Sequence, residues 1–293
     1  MSPADEHSSS DEKQRSLGRE VSVSGIGLFS GAKSTIRLIP APANTGIVFR
    51  RVDIPGGIEI PARVEYVVET PRCTILGRDG ITIQTVEHLL SALKAFEIDN
   101  LTVEIDGPEV PTCDGSAVPF VSLIKEAGVA YQKETKEIMR IREPIFWSKG
   151  DITLVALPSD EFRFSYTLNY PHSPLLKSQF FTIAVDEESY EEEIAPARTF
   201  SLYEEIVPLI EKGSIKGGTL ENAVIIKDDR VINPEGLRFA EEMVRHKILD
   251  LIGDLSLVGC TFHAHVIAIR SGHFSNTSFA RELVNHFLLE TAV

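Results

Sequence analysis

The sequence predicts an α+β fold in two halves, each a sheet covered on one face by helices. Two observations carry this. Short apolar runs that alternate at a period of two, as half-buried strands do, are interleaved with longer runs at helical pitch. A charged segment without apolar residues, 133–137, divides the chain, and an alternating strand pattern restarts behind it. The opening residues 1–16 are rich in Ser, Asp, Glu and Lys and read as a disordered tail. The first domain is then 17–132, residues 133–137 are a linker, and 138–293 form the second domain.

In the first domain, apolar runs broken by Gly and Pro fill 21–48, with the clearest strand at 34–40. A strand at 81–83 leads into a short helix over 85–93, a strand follows at 101–105, and a second helix begins at 118. In the second domain the pattern predicts strands at 138–141, 152–157, 162–168, 179–185 and 261–269, and helices at 201–211, 234–255 and 279–289. Residues 200–233 differ from their surroundings and read as an inserted helix, turn and strand. No residue-level repeat relates the two halves.

Composition narrows the function classes. With 43% hydrophobic and 25% charged residues, 293 residues can bury one large core or two modest ones, and two are expected. A net charge of -14, with no cluster of five or more Lys and Arg, argues against a nucleic-acid partner. No apolar run is long enough to span a membrane, and the polar N-terminus lacks the apolar core of a signal peptide, so a cytoplasmic location is expected. Cys73, Cys113 and Cys260 form no Cys-x-x-Cys pair and read as reduced, mostly buried thiols, with Cys73 expected nearest the site.

The chemistry-bearing residues begin with His246, Asp250 and Asp254, which stack along one helix face four residues apart. They fall off the apolar stripe of Leu237, Ala240, Val244, Ile248, Leu251 and Leu255, and a solvated helix face would account for them alone. Glu87-His88 supplies what a metal site would need: His88 as a third ligand beside His246 and Asp250, with Glu87 near enough to take a proton from water at the open position. His273 follows the last apolar strand, and Asp254 could orient it as a proton donor. His263 and His265 share one strand face, a ligand geometry, but their apolar neighbours describe an ordinary buried strand.

In sequence order, Gly25-Ile26-Gly27-Leu28, the run 41–51, Thr85-Val86-Glu87-His88, Pro111-Thr112-Cys113-Asp114-Gly115-Ser116-Ala117, Ala197-Arg198-Thr199-Phe200, Gly236-Leu237-Arg238-Phe239, the helix from His246 and Gly272-His273 resemble the zinc-dependent UDP-3-O-acyl-N-acetylglucosamine deacetylases of lipid A synthesis. The likeness runs from about residue 17 to the C-terminus. It implies two similar domains in a β-α-α-β sandwich whose helical layers face each other, with the active site between them. It further implies hydrolysis of the N-acetyl group to give UDP-3-O-acyl-glucosamine and acetate, the committed step of lipid A biosynthesis. Carried over residue by residue, it makes His88, His246 and Asp250 the ligands of a single Zn2+, with Fe2+ suited to the same donors. Glu87 becomes the general base and His273, supported by Asp254, the general acid or an electrostatic partner, in which case Glu87 would return the proton. Thr199 would hold the oxyanion and Lys247 would face the substrate; from the residues themselves, Arg198 and Arg245 are expected to gather with Lys247 toward an anionic sugar nucleotide, with Thr199 and Phe200 beside Arg198.

The insert would wall a passage for the acyl chain, each buried methylene contributing about 0.8 kcal/mol, and His172 would lie near the nucleotide. The partner implied is an acylated UDP-amino sugar bound to a monomer. One departure stands out: Phe29 follows Gly-x-Gly-Leu where the family usually has histidine. Two alternatives compete. A metallopeptidase would use similar ligands, but its His-Glu-x-x-His helix is absent. A binder of acylated sugar nucleotides with a silent site would keep the fold without the chemistry.

Overall fold

The computed structural model of the protein describes residues 13–291. The chain runs through β1 (Lys13–Leu17), β2 (Val21–Ile26), β3 (Lys33–Pro40), β4 (Ile47–Arg51), β5 (Ile58–Pro61) and the short strands β6 (Val67–Glu69), β7 (Ile75–Arg78) and β8 (Ile81–Ile83). Helix α1 (Glu87–Ala95), β9 (Leu101–Ile105), α2 (Val118–Ala127) and β10 (Val129–Thr135) follow. Five strands pair in the order β2-β3-β9-β4-β5, with β4 and β9 parallel and the other neighbours antiparallel. The period of two decides which face is buried: in β3, Ser34, Ile36 and Leu38 point inward and the residues between them do not.

The second half repeats this order with different residues. Its strands β11 (Ile138–Arg140), β12 (Ile145–Lys149), β13 (Ile152–Leu157), β14 (Phe162–Tyr170) and β15 (Lys177–Ala184) precede α3 (Glu187–Glu193), β16 (Phe200–Leu202), α4 (Tyr203–Glu211), β17 (Val224–Lys227) and β18 (Arg230–Val231). Then come α5 (Glu242–Ser256), β19 (Thr261–Ile269) and α6 (His273–Thr291). The main sheet is ordered β12-β13-β19-β14-β15, with β14 and β19 parallel and β11 pairing in parallel beside them. In both halves, therefore, a strand returning from a helix enters between the second and third strands of its sheet. The insert contributes its own three-stranded sheet, β16-β17-β18.

Helices α1 and α5 pack against each other, inside a core that runs through both halves. Every residue of α1 except Lys94 is buried, so a nine-residue helix too short to hold alone is held by its surroundings. The contact is unusually close at Gly253 of α5, where a Cβ would lie 2.1 Å from the Glu87 carbonyl oxygen. Glycine there lets the two helices that carry the candidate site residues approach backbone to backbone.

Several boundaries differ from the sequence reading. Residues 13–16, expected in the tail, belong to β1, and 133–135, expected in the linker, end β10; the two strands pair antiparallel, Lys13 opposite Thr135. Residues 1–12 lie outside the described residues. The charges of these segments are partnered, Arg15 with Glu97 and Glu187, and Lys136 with Glu97. The helix expected from 234 starts at Glu242, because Gly236 adopts φ +72 and the Arg238 amide donates to the Glu242 carboxylate at 2.7 Å. The last helix starts at His273 rather than 279, and Phe200–Leu202 is strand, not the start of α4.

Candidate active site

Thr85, in the left-handed region at φ +59, turns the chain into α1 and sets Glu87 and His88 in its first turn. From the facing helix come His246 and Asp250, one turn apart. The Nε2 atoms of His246 and His88 lie 3.3 and 3.6 Å from Asp250 Oδ1, and the two rings meet edge to face at 5.0 Å between centroids. One ligand atom from each of the three residues falls within 4.8 Å of the others. His246 Nδ1 lies 3.0 Å from the Ala197 carbonyl oxygen, and donation there leaves Nε2 with its lone pair toward the cluster.

The donors fit a divalent cation. Asp250 Oδ1 is buried and has no hydrogen-bond partner, while Oδ2 accepts from Lys247 Nζ at 2.6 Å. A buried orphan carboxylate oxygen is costly unless something positive meets it, and two imidazole nitrogens converge on the same point. The charge states agree. Burial pushes His246 down to about 3, keeping its imidazole neutral. Burial alone would raise Asp250, but Lys247, His246 and His273 outweigh it and hold the carboxyl well below the usual range.

Beside this triad, burial raises Glu87 above the usual carboxylate range, and the Thr74 amide fixes its Oε2 at 3.0 Å. His273 Nε2 stands 3.8 Å from Glu87 Oε1, and its Nδ1 meets Asp254 Oδ2 at 2.9 Å. Burial disfavours the imidazolium, yet Asp254, Asp250 and Glu87 together raise His273 to about 9. Asp254 is held in turn by Thr74 Oγ1 at 2.5 Å and Asn276 Nδ2 at 2.9 Å. Thr74 and Asn276 escaped the sequence reading, although Asn276 stands three residues after His273, on the same helix face. Cys73 is buried next to Thr74, its thiol raised by burial and by Glu87.

An apolar cavity of about 410 Å3 opens from this cluster. Thr199, Phe200 and Phe29 line it, and Ile206, Ile210, Ile215 and Leu220 of the insert supply its far wall. A more polar cavity of about 770 Å3, with His172, Asp228, Asp229 and Arg270 on its walls, adjoins it, and Lys247 and Tyr170 line both. Arg198 does not join them. Its guanidinium is 1% exposed and bonded to Glu242, Glu235 and the Gly236 carbonyl, so the expected substrate contact is corrected to a buried ion pair. Arg245 likewise pairs with Glu193 and stacks on Phe181 and Phe239, and the cationic cluster with Lys247 does not form. The cation that does reach the apolar cavity beside Lys247 is Arg72. His263 and His265 occupy the face of β19 opposite its buried residues, and His265 Nε2 pairs with Ser165 Oγ at 2.8 Å.

Comparison with known proteins bears on this geometry. A sequence model of the UDP-3-O-acyl N-acetylglycosamine deacetylase family matches residues 14–285. The UDP-3-O-acyl-N-acetylglucosamine deacetylase of Chlamydia pneumoniae is 50% identical over 275 residues, covering 94% of this chain and 98% of the relative. That of Chlamydia abortus is 49% identical over 274 residues, with the same coverage. That of Chlamydia trachomatis serovar L2 is 48% identical over 271 residues, covering 92% of this chain and 94% of its own.

Proposed function

The chain belongs to the UDP-3-O-acyl N-acetylglycosamine deacetylase family, and we propose that it hydrolyses the N-acetyl group of a UDP-3-O-acyl-N-acetylglucosamine to free amine and acetate, a step of lipid A synthesis. The observation that carries the reading is the orphan Asp250 oxygen facing two imidazoles, with Glu87 and His273 beside it and an apolar cavity at its mouth. His88, His246 and Asp250 would hold the metal, with zinc as our assignment and iron(II) suited to the same donors. One chain supplies every group, so the reading needs no second copy. Among the described residues no helix is long and apolar enough to cross a membrane; the nucleotide-linked substrate is the reason we place the reaction in the cytoplasm.

When bound, the cation supplies a polarised water and positive charge beside the substrate carbonyl. The remaining work falls to the protein. Glu87, raised by burial and fixed by the Thr74 amide, accepts the attacking water's proton. As the carbonyl carbon becomes tetrahedral, the Thr199 hydroxyl at the cavity wall donates to the developing oxyanion. His273, kept cationic by Asp254, gives its proton to the amine nitrogen as the C–N bond breaks. Lys247 and Arg72 meet the polar part of the substrate, while Phe200 and the insert's isoleucines take the acyl chain. The purified, metal-loaded protein is expected to release acetate and the free amine in equal amounts from this substrate. No release from folded, metal-loaded protein would overturn the assignment.

A further inference from the structure

Between β9 and α2 lies a carboxylate the mechanism above does not use. Glu109 has no exposed surface, and its partners are two backbone amides and a hydroxyl. Its Oε1 accepts from the Phe29 amide at 3.0 Å and from Thr85 Oγ1 at 2.9 Å, and its Oε2 accepts from the Ser30 amide at 2.7 Å. The loop it grips has no room for a side chain at Gly27, where a Cβ would lie 2.3 Å from Glu109 Oε2. Backbone bonds anchor the residues on either side of Glu109 to the chain before α1: Gln84 donates to the Pro108 carbonyl at 2.9 Å and accepts from the Val110 amide at 3.1 Å.

Each end of this arrangement reaches the site. On one side, Leu28 and Phe29 line the apolar cavity, and their carbonyls accept from Gly217 and Lys216 of the insert at 3.1 and 3.2 Å. A Cβ on Gly217 would come within 2.1 Å of the Gly27 carbonyl oxygen, so the loop is clasped between the insert and Glu109. On the other side is Thr85, a β-branched residue in the left-handed region, where such residues persist only if their surroundings hold them. It stands two residues before Glu87 and three before His88. We propose that Glu109 is a positioning residue that joins the wall of the apolar cavity to the start of α1, so that an acyl chain seated against Leu28 and Phe29 helps set the placement of Glu87 and His88. This rests on the deacetylase reading for the identity of the acyl chain.

Two variants separate the arms of the link. In Glu109→Gln, either orientation of the amide sets an NH2 against a loop N–H, since Oε1 faces Phe29 and Oε2 faces Ser30. Its KM for a long-acyl UDP-3-O-acyl-N-acetylglucosamine is expected to rise about tenfold, with that for a short-acyl analogue nearly unchanged. Amide exchange should quicken both over 27–31 and over 84–88. Thr85→Val cuts the other arm and is expected to lower kcat on both substrates without altering their KM ratio. Equal loss on both substrates in Glu109→Gln, unchanged exchange over 84–88, or unchanged kcat in Thr85→Val would overturn the proposal. Should Glu109→Gln fail to fold, Thr85→Val decides alone. A wild-type protein silent on both substrates would remove the deacetylase reading, and the exchange measurement would still judge Glu109.

Discussion

Asp254 never reaches the three ligand atoms, yet it governs the charge of the imidazole beside them. Replacing it with Asn removes the anion 2.9 Å from His273 Nδ1, lowering the imidazole's pKa from about 9. With the protonated form as the proposed proton donor, the basic limb of the kcat/KM profile should move to lower pH in Asp254→Asn; an unmoved limb would take His273 out of the titration. Glu87→Gln should keep its metal and lose about a hundredfold or more in turnover. His246→Ala should lose the metal itself, and metal analysis beside turnover separates the two. The alignment of His246 and Asp250 was legible from helical pitch, whereas His88 joins them only across the contact of α1 with α5, which no local spacing shows. The role of Arg198 was not legible. Its partner Glu242 lies 44 residues further on, and no local pattern shows that a cation next to Thr199 turns inward. Phe29, the departure from the family's usual residue, lines the apolar cavity that opens from the triad.

Helices α1 and α5 bring the proposed ligands together, and Gly253 sets how closely the helices meet. Alanine would gain up to about 1 kcal/mol of helix propensity there, but its Cβ would meet the Glu87 backbone at 2.1 Å, and overpacking of this kind costs about 1–3 kcal/mol. The clash should win. Gly253→Ala is expected to melt at lower temperature and bind metal more weakly, as calorimetry and metal titration would show; a variant with unchanged metal affinity would mean that α1 can retreat without moving His88. The types of the longer elements were readable from periodicity, the strand at 261–269 to the residue, but α3, β1 and β10 were not. Element ends were less readable. Leu237 and Ala240 continue the apolar stripe of α5, but Gly236 and the cap from Glu242 delay the helix to residue 242. His273 was expected between the last strand and a helix at 279, whereas it opens the nineteen-residue α6, where Asn276 can reach Asp254.

At the scale of the molecule, the same strand order in both sheets is the feature the letters hid most completely. Topology is set by which strands pair, and β9 and β19 occupy the same place in their sheets with unlike residues. The pairing of β1 with β10 was hidden for a related reason, since charged segments that suit a tail and a linker are equally compatible with a ladder whose charges find partners. What the two halves accomplish together is to set His88 from one against His246 and Asp250 from the other, with the insert closing an apolar cavity over them. The most direct test is to strip the protein with a chelator, return zinc in steps and follow acetate release from the acylated sugar nucleotide at each step. Turnover should rise in proportion to zinc and be complete at a single ion per chain, with His246→Ala never recovering. Full acetate release from the stripped protein, or recovery by His246→Ala equal to that of the wild type, would contradict the assignment of this triad to the chemistry.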